Sequence, residues 1–230
     1  MSNNDDYDYI AAHTDEIRLI EKIQVGVAII STVASASVVF ILIFKRSTLL
    51  QGRPFILLIL MIAIFDMLLS LTYAFGYPKH FMGCAVQGFF GVLFSRASWL
   101  YTVGLVLQLS SVVLYRTFLC SNKTMIIAIA VINGILQLLP FTTSTYYGGS
   151  LGTEVCFFTK GKGTYDQLHI WEILCYFAVQ IICFSIIIIV TIVLYMHSKN
   201  PGTTPLYQQI ENAWTTIILY PLGIYHYFYY

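Results

Sequence analysis

The sequence predicts an all-α integral membrane protein built from six apolar helices. Two observations carry that reading. Apolar runs of about 20 residues recur along the chain, each long enough to cross the ~30 Å hydrocarbon core of a bilayer. Charge is scarce: 10% of the 230 residues are Asp, Glu, Lys or Arg and 58% are hydrophobic, whereas a soluble domain carries roughly 25% charged residues. A mean hydropathy of +0.76 agrees. The formal net charge of +1 offers no basic footprint for nucleic acid.

The spans follow in order. The first covers residues 23–44 and ends "SVVFILIF" before Lys45 and Arg46. The second covers 54–75 and opens at Pro54, whose missing N–H costs nothing at a first helical position. The third, 84–115, is long enough to cross at a tilt and protrude. The fourth, 125–142, contains Asn133 and Gly134 and has Pro140 near its end. The fifth, 168–196, is rich in Ile. The sixth, 213–230, reads "AWTTIILYPLGIYHYFYY". Connections are short except 143–167. Residues 1–22 form an acidic tail, and 23–230 form one transmembrane bundle with no internal repeat.

Orientation follows from the basic residues of short loops. Lys45, Arg46 and Arg53 flank the inner end of the first span, which places the N-terminus outside. The tail has neither a basic n-region nor a small-residue cleavage site, so the first helix is expected to act as its own insertion signal. Asn122 opens an Asn-Lys-Thr sequon on the inner side, where it is expected to stay unmodified. Cys84 and Cys156 are then the two cysteines at the outer side, where an oxidising compartment lets them pair. The alternative is two free thiols at the membrane edge. Cys120 lies inside, and Cys175 and Cys183 read as packing residues of the fifth span.

"GCAVQGFF" followed by "ASWLYT" resembles the third helix of the cyclic-AMP-receptor-like G-protein-coupled receptors, a group that includes the fungal glucose-sensing type. "TTIILYPLGIY" is similar to the sixth helix of that group. "VCFF" matches it at Cys156 and departs from its flanking tryptophans. The resemblance covers about residues 23–230. It implies a seven-helix receptor-type bundle of which six helices are present, as a fragment or a truncated product. It implies an extracellular small-molecule ligand, a heterotrimeric G protein as partner, a plasma-membrane location and a receptor that can dimerise. No Asp-Arg-Tyr closes the third helix; "LYRTF" offers Arg116 as the candidate G-protein contact, against the reading of a basic rim that attracts anionic lipid.

Ionisable groups inside spans are costly and mark candidate sites. Asp66 lies near mid-membrane in the second span, and Ser98 lies at comparable depth in the third. Together they are a candidate intramembrane polar or ion site; the plainer reading is a structural polar anchor. Arg96 is two residues from Ser98, and two residues on a helix differ by ~200° in azimuth. If Ser98 faces Asp66, Arg96 faces the fourth and fifth spans, with Glu172 as its counter-charge. Arg96, Trp99, His169 and Glu172 are the candidate ligand-binding residues. The plainer reading makes Arg96 an internal tie between helices, and Trp171, Tyr73 and Tyr77 interfacial anchors. Gln108, Ser110 and Ser111 read as interhelical hydrogen bonds.

No nucleophile–base pair, phosphate loop or metal-ligand spacing occurs, so no enzyme, cofactor or metal is expected. The competing reading is a small transporter or channel-like protein, which tends to show repeats and broken helices in matching halves. A non-signalling truncated receptor is the third.

Overall fold

A computed structural model of the chain describes residues 3–44, 55–76, 81–143, 146–149, 156–159, 170–171 and 173–198. Helix α1 spans Asn3–Phe44, α2 Ile56–Ala74, α3 Phe81–Tyr115, α4 Asn122–Leu138 and α5 Ala178–Ser198. A 3-10 turn, Leu139–Thr143, follows α4, and a π turn, Ile173–Phe177, precedes α5. Strands β1, Tyr146–Gly149, and β2, Cys156–Thr159, pair antiparallel, with Tyr146 opposite Thr159 and Gly149 opposite Cys156.

Five segments among the described residues are long and apolar enough to cross a membrane: Lys22–Phe44, Ile56–Ala74, Gly83–Tyr115, Asn122–Thr142 and Ile173–His197. They coincide with the first five expected spans. The sixth, 213–230, lies outside the described residues. Exposed Ile and Val side chains, such as Ile30 at 71% and Ile181 at 65%, are what hydrocarbon solvates and water does not.

Four details correct the sequence reading. Residues 3–22 do not merely precede a helix; they belong to it, and no Pro or Gly occurs before Gly26. The chain is not wholly helical: the long connection 143–167 holds the two-stranded ladder. Helix α4 starts at Asn122 rather than 125, because Ser121, extended at φ −67° and ψ 146°, accepts a hydrogen bond from the Thr124 N–H at 3.1 Å. Replacing Ser121 by Ala is expected to cost about 1 kcal/mol, read as a lower melting temperature and faster amide exchange at 122–124. Finally, the fifth span is not one continuous α-helix, since it opens with the π turn.

Pro140 explains the end of α4. It has no N–H to continue the ladder, so the last turn tightens into the 3-10 form.

Helix α3 is the central post. Half of its spanning window is buried, against about a tenth for the first and fifth spans. It packs on α2, α4, α5 and both strands, whereas α1 packs chiefly on α2. Leu58 and Ile62 of α2, Ala97, Tyr101 and Leu105 of α3, and Ile129 of α4 form one buried cluster. The Tyr101 ring stacks on Phe65 at 5.4 Å, and its hydroxyl donates to the Ile126 carbonyl at 3.2 Å. Nearer the other end, Val106 meets Leu194 of α5.

Close approach of α2 and α3 depends on Gly91. A Cβ there would sit 2.7 Å from the Tyr73 hydroxyl and 3.3 Å from its Cζ. Gly91→Ala is expected to lose roughly 1 kcal/mol through overpacking, despite the better helix propensity of Ala. In a Tyr73→Phe background the same substitution should be neutral or stabilising. Thermal unfolding of the four proteins of that double-mutant cycle checks it; additive effects would refute the steric explanation.

Candidate functional site: the polar core of helix 3

The candidate site is a polar seam along α3, within an otherwise apolar bundle. At one end Cys84 and Cys156 form a disulfide that crosses 72 residues of sequence and pins β2 to the start of α3. The expected pairing is therefore the observed one. Both cysteines are buried, at 7% and 1% exposure.

Twelve residues along, Arg96 is 2% exposed. Its Nε donates to Asn133 Oδ1 at 2.7 Å. Nη2 donates to Gln137 Oε1 at 2.6 Å and to the Asn133 carbonyl at 3.2 Å. Nη1 donates to the Cys175 carbonyl at 2.8 Å. Asn133 and Gln137 are one turn apart on one face of α4. Each also donates its amide to an α3 carbonyl, Asn133 Nδ2 to Leu93 at 3.1 Å and Gln137 Nε2 to Phe89 at 2.8 Å. The two amides thus present their oxygens to the guanidinium and their nitrogens to the α3 backbone. This ordering uses every polar end of both side chains, which low dielectric demands.

The π turn explains how a helix carbonyl becomes available. An inserted residue shifts the backbone ladder, so one carbonyl escapes its usual partner four residues on. Cys175 lies inside that turn and its carbonyl meets Arg96. A planar fork with five donors makes four bonds here to α4 and the π turn, one more than the three donors of an ammonium could make.

Across α3, Ser98 Oγ donates to Asp66 Oδ1 at 2.5 Å. One turn along α2, Ser70 Oγ donates to Ser31 Oγ of α1 at 2.8 Å. The phase argument from sequence is met: Ser98 faces α2 while Arg96 faces α4 and α5. An Arg96–Asp66 pair is excluded by that geometry. Among the described residues, Arg96 meets internal partners on α4 and in the π turn. Glu172 and His169 lie outside the described residues. Trp99 stands edge-on to Phe184 of α5, ring centroids 6.4 Å apart, and so packs α3 against α5.

The far end of the seam meets expectation at Gln108 and departs from it at Ser110 and Ser111. Gln108 is fully buried, and its Nε2 reaches Oδ1 of Asn122, the first residue of α4, at 3.5 Å. Its Nε2 donates to the Cys120 carbonyl and its Oε1 accepts from the Leu119 N–H at 3.1 Å, so it holds the connection between α3 and α4. Ser111 Oγ donates to the Thr117 carbonyl at 2.8 Å, and Ser110 bonds back to its own helix at Leu107. A short loop folded back beneath α3 brings backbone groups closer than any neighbouring helix. Arg116 ends α3 in the left-handed region, φ 55°, exposed, with its N–H on the Val112 carbonyl at 3.0 Å. That conformation costs a non-glycine residue about 1 kcal/mol, and the Ser111 and Gln108 bonds offset it.

Sequence reasoning did not single out Asn133 and Gln137 as partners of Arg96. The signal was present: Asn and Gln four residues apart in an apolar helix mark one polar stripe.

Membrane-length helices around a buried third helix, with a disulfide tying a hairpin to its end, define a multi-pass helical membrane fold. The fold is similar to that of squid rhodopsin, with a TM-score of 0.57 at 17% sequence identity; the likeness covers 85% of this chain and 63% of that one. The chain thus spans less than two thirds of the length of that structure. No known protein family matches the sequence, and no curated protein matches it.

Proposed function

We propose that the protein is a cell-surface receptor that passes an extracellular small-molecule signal to a heterotrimeric G protein, of the cyclic-AMP-like or glucose-sensing type. The observation that carries this reading is the rhodopsin-like bundle. The disulfide at the start of α3 supports placing that end, and with it the N-terminus, outside the cell. Ligand enters beneath the hairpin pinned by Cys84 and Cys156. His169 and Glu172, near the start of the fifth span, are the proposed first contacts, with Trp99 and Arg96 below them.

Arg96 acts here as the coupling element. It ties α4 to the π turn, so a ligand that moves the start of the fifth span must move the guanidinium or break its bond to Cys175. The Asp66–Ser98 contact is the second polar joint, between α2 and α3. The exposed Arg116 is the proposed G-protein contact.

The test is nucleotide exchange on a purified heterotrimeric G protein by the full-length protein in nanodiscs, challenged with cyclic nucleotides and hexoses. Ligand-dependent exchange that Asp66→Asn and Arg116→Ala each weaken supports the proposal. Uptake of a labelled solute with no exchange above the empty-nanodisc background overturns it in favour of a transporter.

A further inference from the structure

The fifth span holds one residue more than an unbroken α-helix would place there. Cys183 and Leu194 of α5 are both buried, and their spacing brings them to within about 20° of one line along the helix. Continued unbroken toward the start of the span, that line passes within about 20° of Tyr176 and about 80° from Cys175. The structure has the opposite: Cys175 is 1% exposed, whereas Tyr176 is only half-buried. The π turn Ile173–Phe177 makes the difference, because one inserted residue rotates everything before it by about 100°.

Two features hold this register. Arg96, itself fixed to Asn133 and Gln137 of α4, donates through Nη1 to the Cys175 carbonyl at 2.8 Å. That bond stabilises a carbonyl released from the α ladder, so it favours the π turn over the α form. The second feature is size. The inner position at this level holds a cysteine, and the α form would bring Tyr176 there. A phenol ring in a space packed around a thiol overfills it. In the present register the Tyr176 hydroxyl lies instead 3.4 Å from Oγ of Ser95, the residue before Arg96 on α3.

We infer that the start of the fifth span is a register switch with two discrete states, π and α, and that Arg96 is its latch. In the α state the ladder closes across residues 173–177 and takes back the Cys175 carbonyl. Tyr176 moves to the inner position, and Ile170 and Trp171 turn by about 100° as one piece. Packed helices shift between discrete arrangements rather than deform continuously, and one inserted residue sets the size of the step. The switch deepens the receptor reading, and its link to a ligand rests on that reading. A turn of this size presents a different face of the helix at Ile170 and Trp171 to the interior of the bundle. A ligand that touches this face therefore binds the two states with different affinity, which is what a ligand needs in order to shift an equilibrium. The switch itself rests on the contacts of the fifth span with α3 and α4.

The test is a pulsed electron–electron distance measurement on the full chain in nanodiscs, with no ligand or G protein added. One nitroxide replaces Ile170; the other replaces Phe75 or Leu138 in separate samples, all three being exposed positions. Attachment through p-acetylphenylalanine leaves the native cysteines in place. A nitroxide about 8 Å from the helix axis moves roughly 12 Å in a turn of about 100°, so at least one of the two distances should change by about 5 Å in the α state. Arg96→Met should show that change. Tyr176→Ala keeps Arg96 and removes the size barrier, so it should add a second population at the Arg96→Met distance; it decides the matter if Arg96→Met does not fold. Deleting Leu174 in either variant takes out the extra residue and should restore the wild-type distances, because an α register then keeps the original facing. Wild-type distances in every folded variant would overturn the switch. So would a change that the deletion leaves in place, since the helices would then have loosened without changing register. Either failure leaves the receptor reading standing, because neither ligand nor G protein enters the measurement.

Discussion

Arg96→Met is expected to destabilise the bundle by roughly 3 kcal/mol. The substitution keeps most of the side-chain volume but removes every donor. Asn133 Oδ1, Gln137 Oε1 and the Cys175 carbonyl all lose a bond at once. A buried polar group left unpaired costs about 1–3 kcal/mol. The total falls below the simple sum because helices that separate inside a bilayer find other partners. Arg96→Lys should recover only part, since an ammonium has three donors for the four bonds made here. Two outcomes separate an internal tie from a purely ligand-binding arginine. Thermal unfolding in nanodiscs should drop by several degrees without any ligand present. The triple variant Arg96→Met, Asn133→Leu, Gln137→Leu should then be more stable than Arg96→Met alone, because apolar partners replace the orphaned ones. A single variant that melts like the wild type would assign Arg96 to the ligand alone.

Cys84→Ser is the second large expectation. The bridge closes 72 residues, and chain entropy for a loop of that size sets an upper bound of about 4 kcal/mol. Membrane insertion already restricts α3 and α4 in the unfolded state, so about 2 kcal/mol is the expected loss. Cys156→Ser should match it, and the double variant should be no worse than either single one. Reductant should lower the melting temperature of the wild type and leave the variants unchanged. The effect on structure should be local: faster amide exchange in 146–149 and 156–159, where the ladder relies on the anchor at Cys156, with the α2–α3–α4 core unaffected.

Much of this fold could be read along the chain because membrane helices announce themselves. Hydrocarbon thickness sets the length of an apolar run, and backbone satisfaction makes that run a helix. Both facts are local to each span, so the first five spans agree with the observed membrane-length segments to within about five residues. Where the boundaries differ, a local signal had been passed over: Ser121 as a cap for α4, and the absence of any helix breaker before Gly26. Helical phase is local too, which is why the opposed facing of Ser98 and Arg96 could be argued before their partners were seen.

Partner choice was not legible, for a different reason. Gln108 and Arg96 are both buried polar residues on one helix, yet one holds the α3–α4 connection and the first residue of α4 while the other holds α4 and the π turn. The azimuth of α4, the extra residue in the π turn and the path of a short connection decide between them, and none of these has a period in the sequence. What the sequence by itself determined is a membrane chain, its spans, its cysteine pair at one end and the faces on which its polar residues stand. What only the tertiary structure decided is which groups those faces meet, because a hydrogen bond depends on distances between helices, and these arise from packing across the whole bundle.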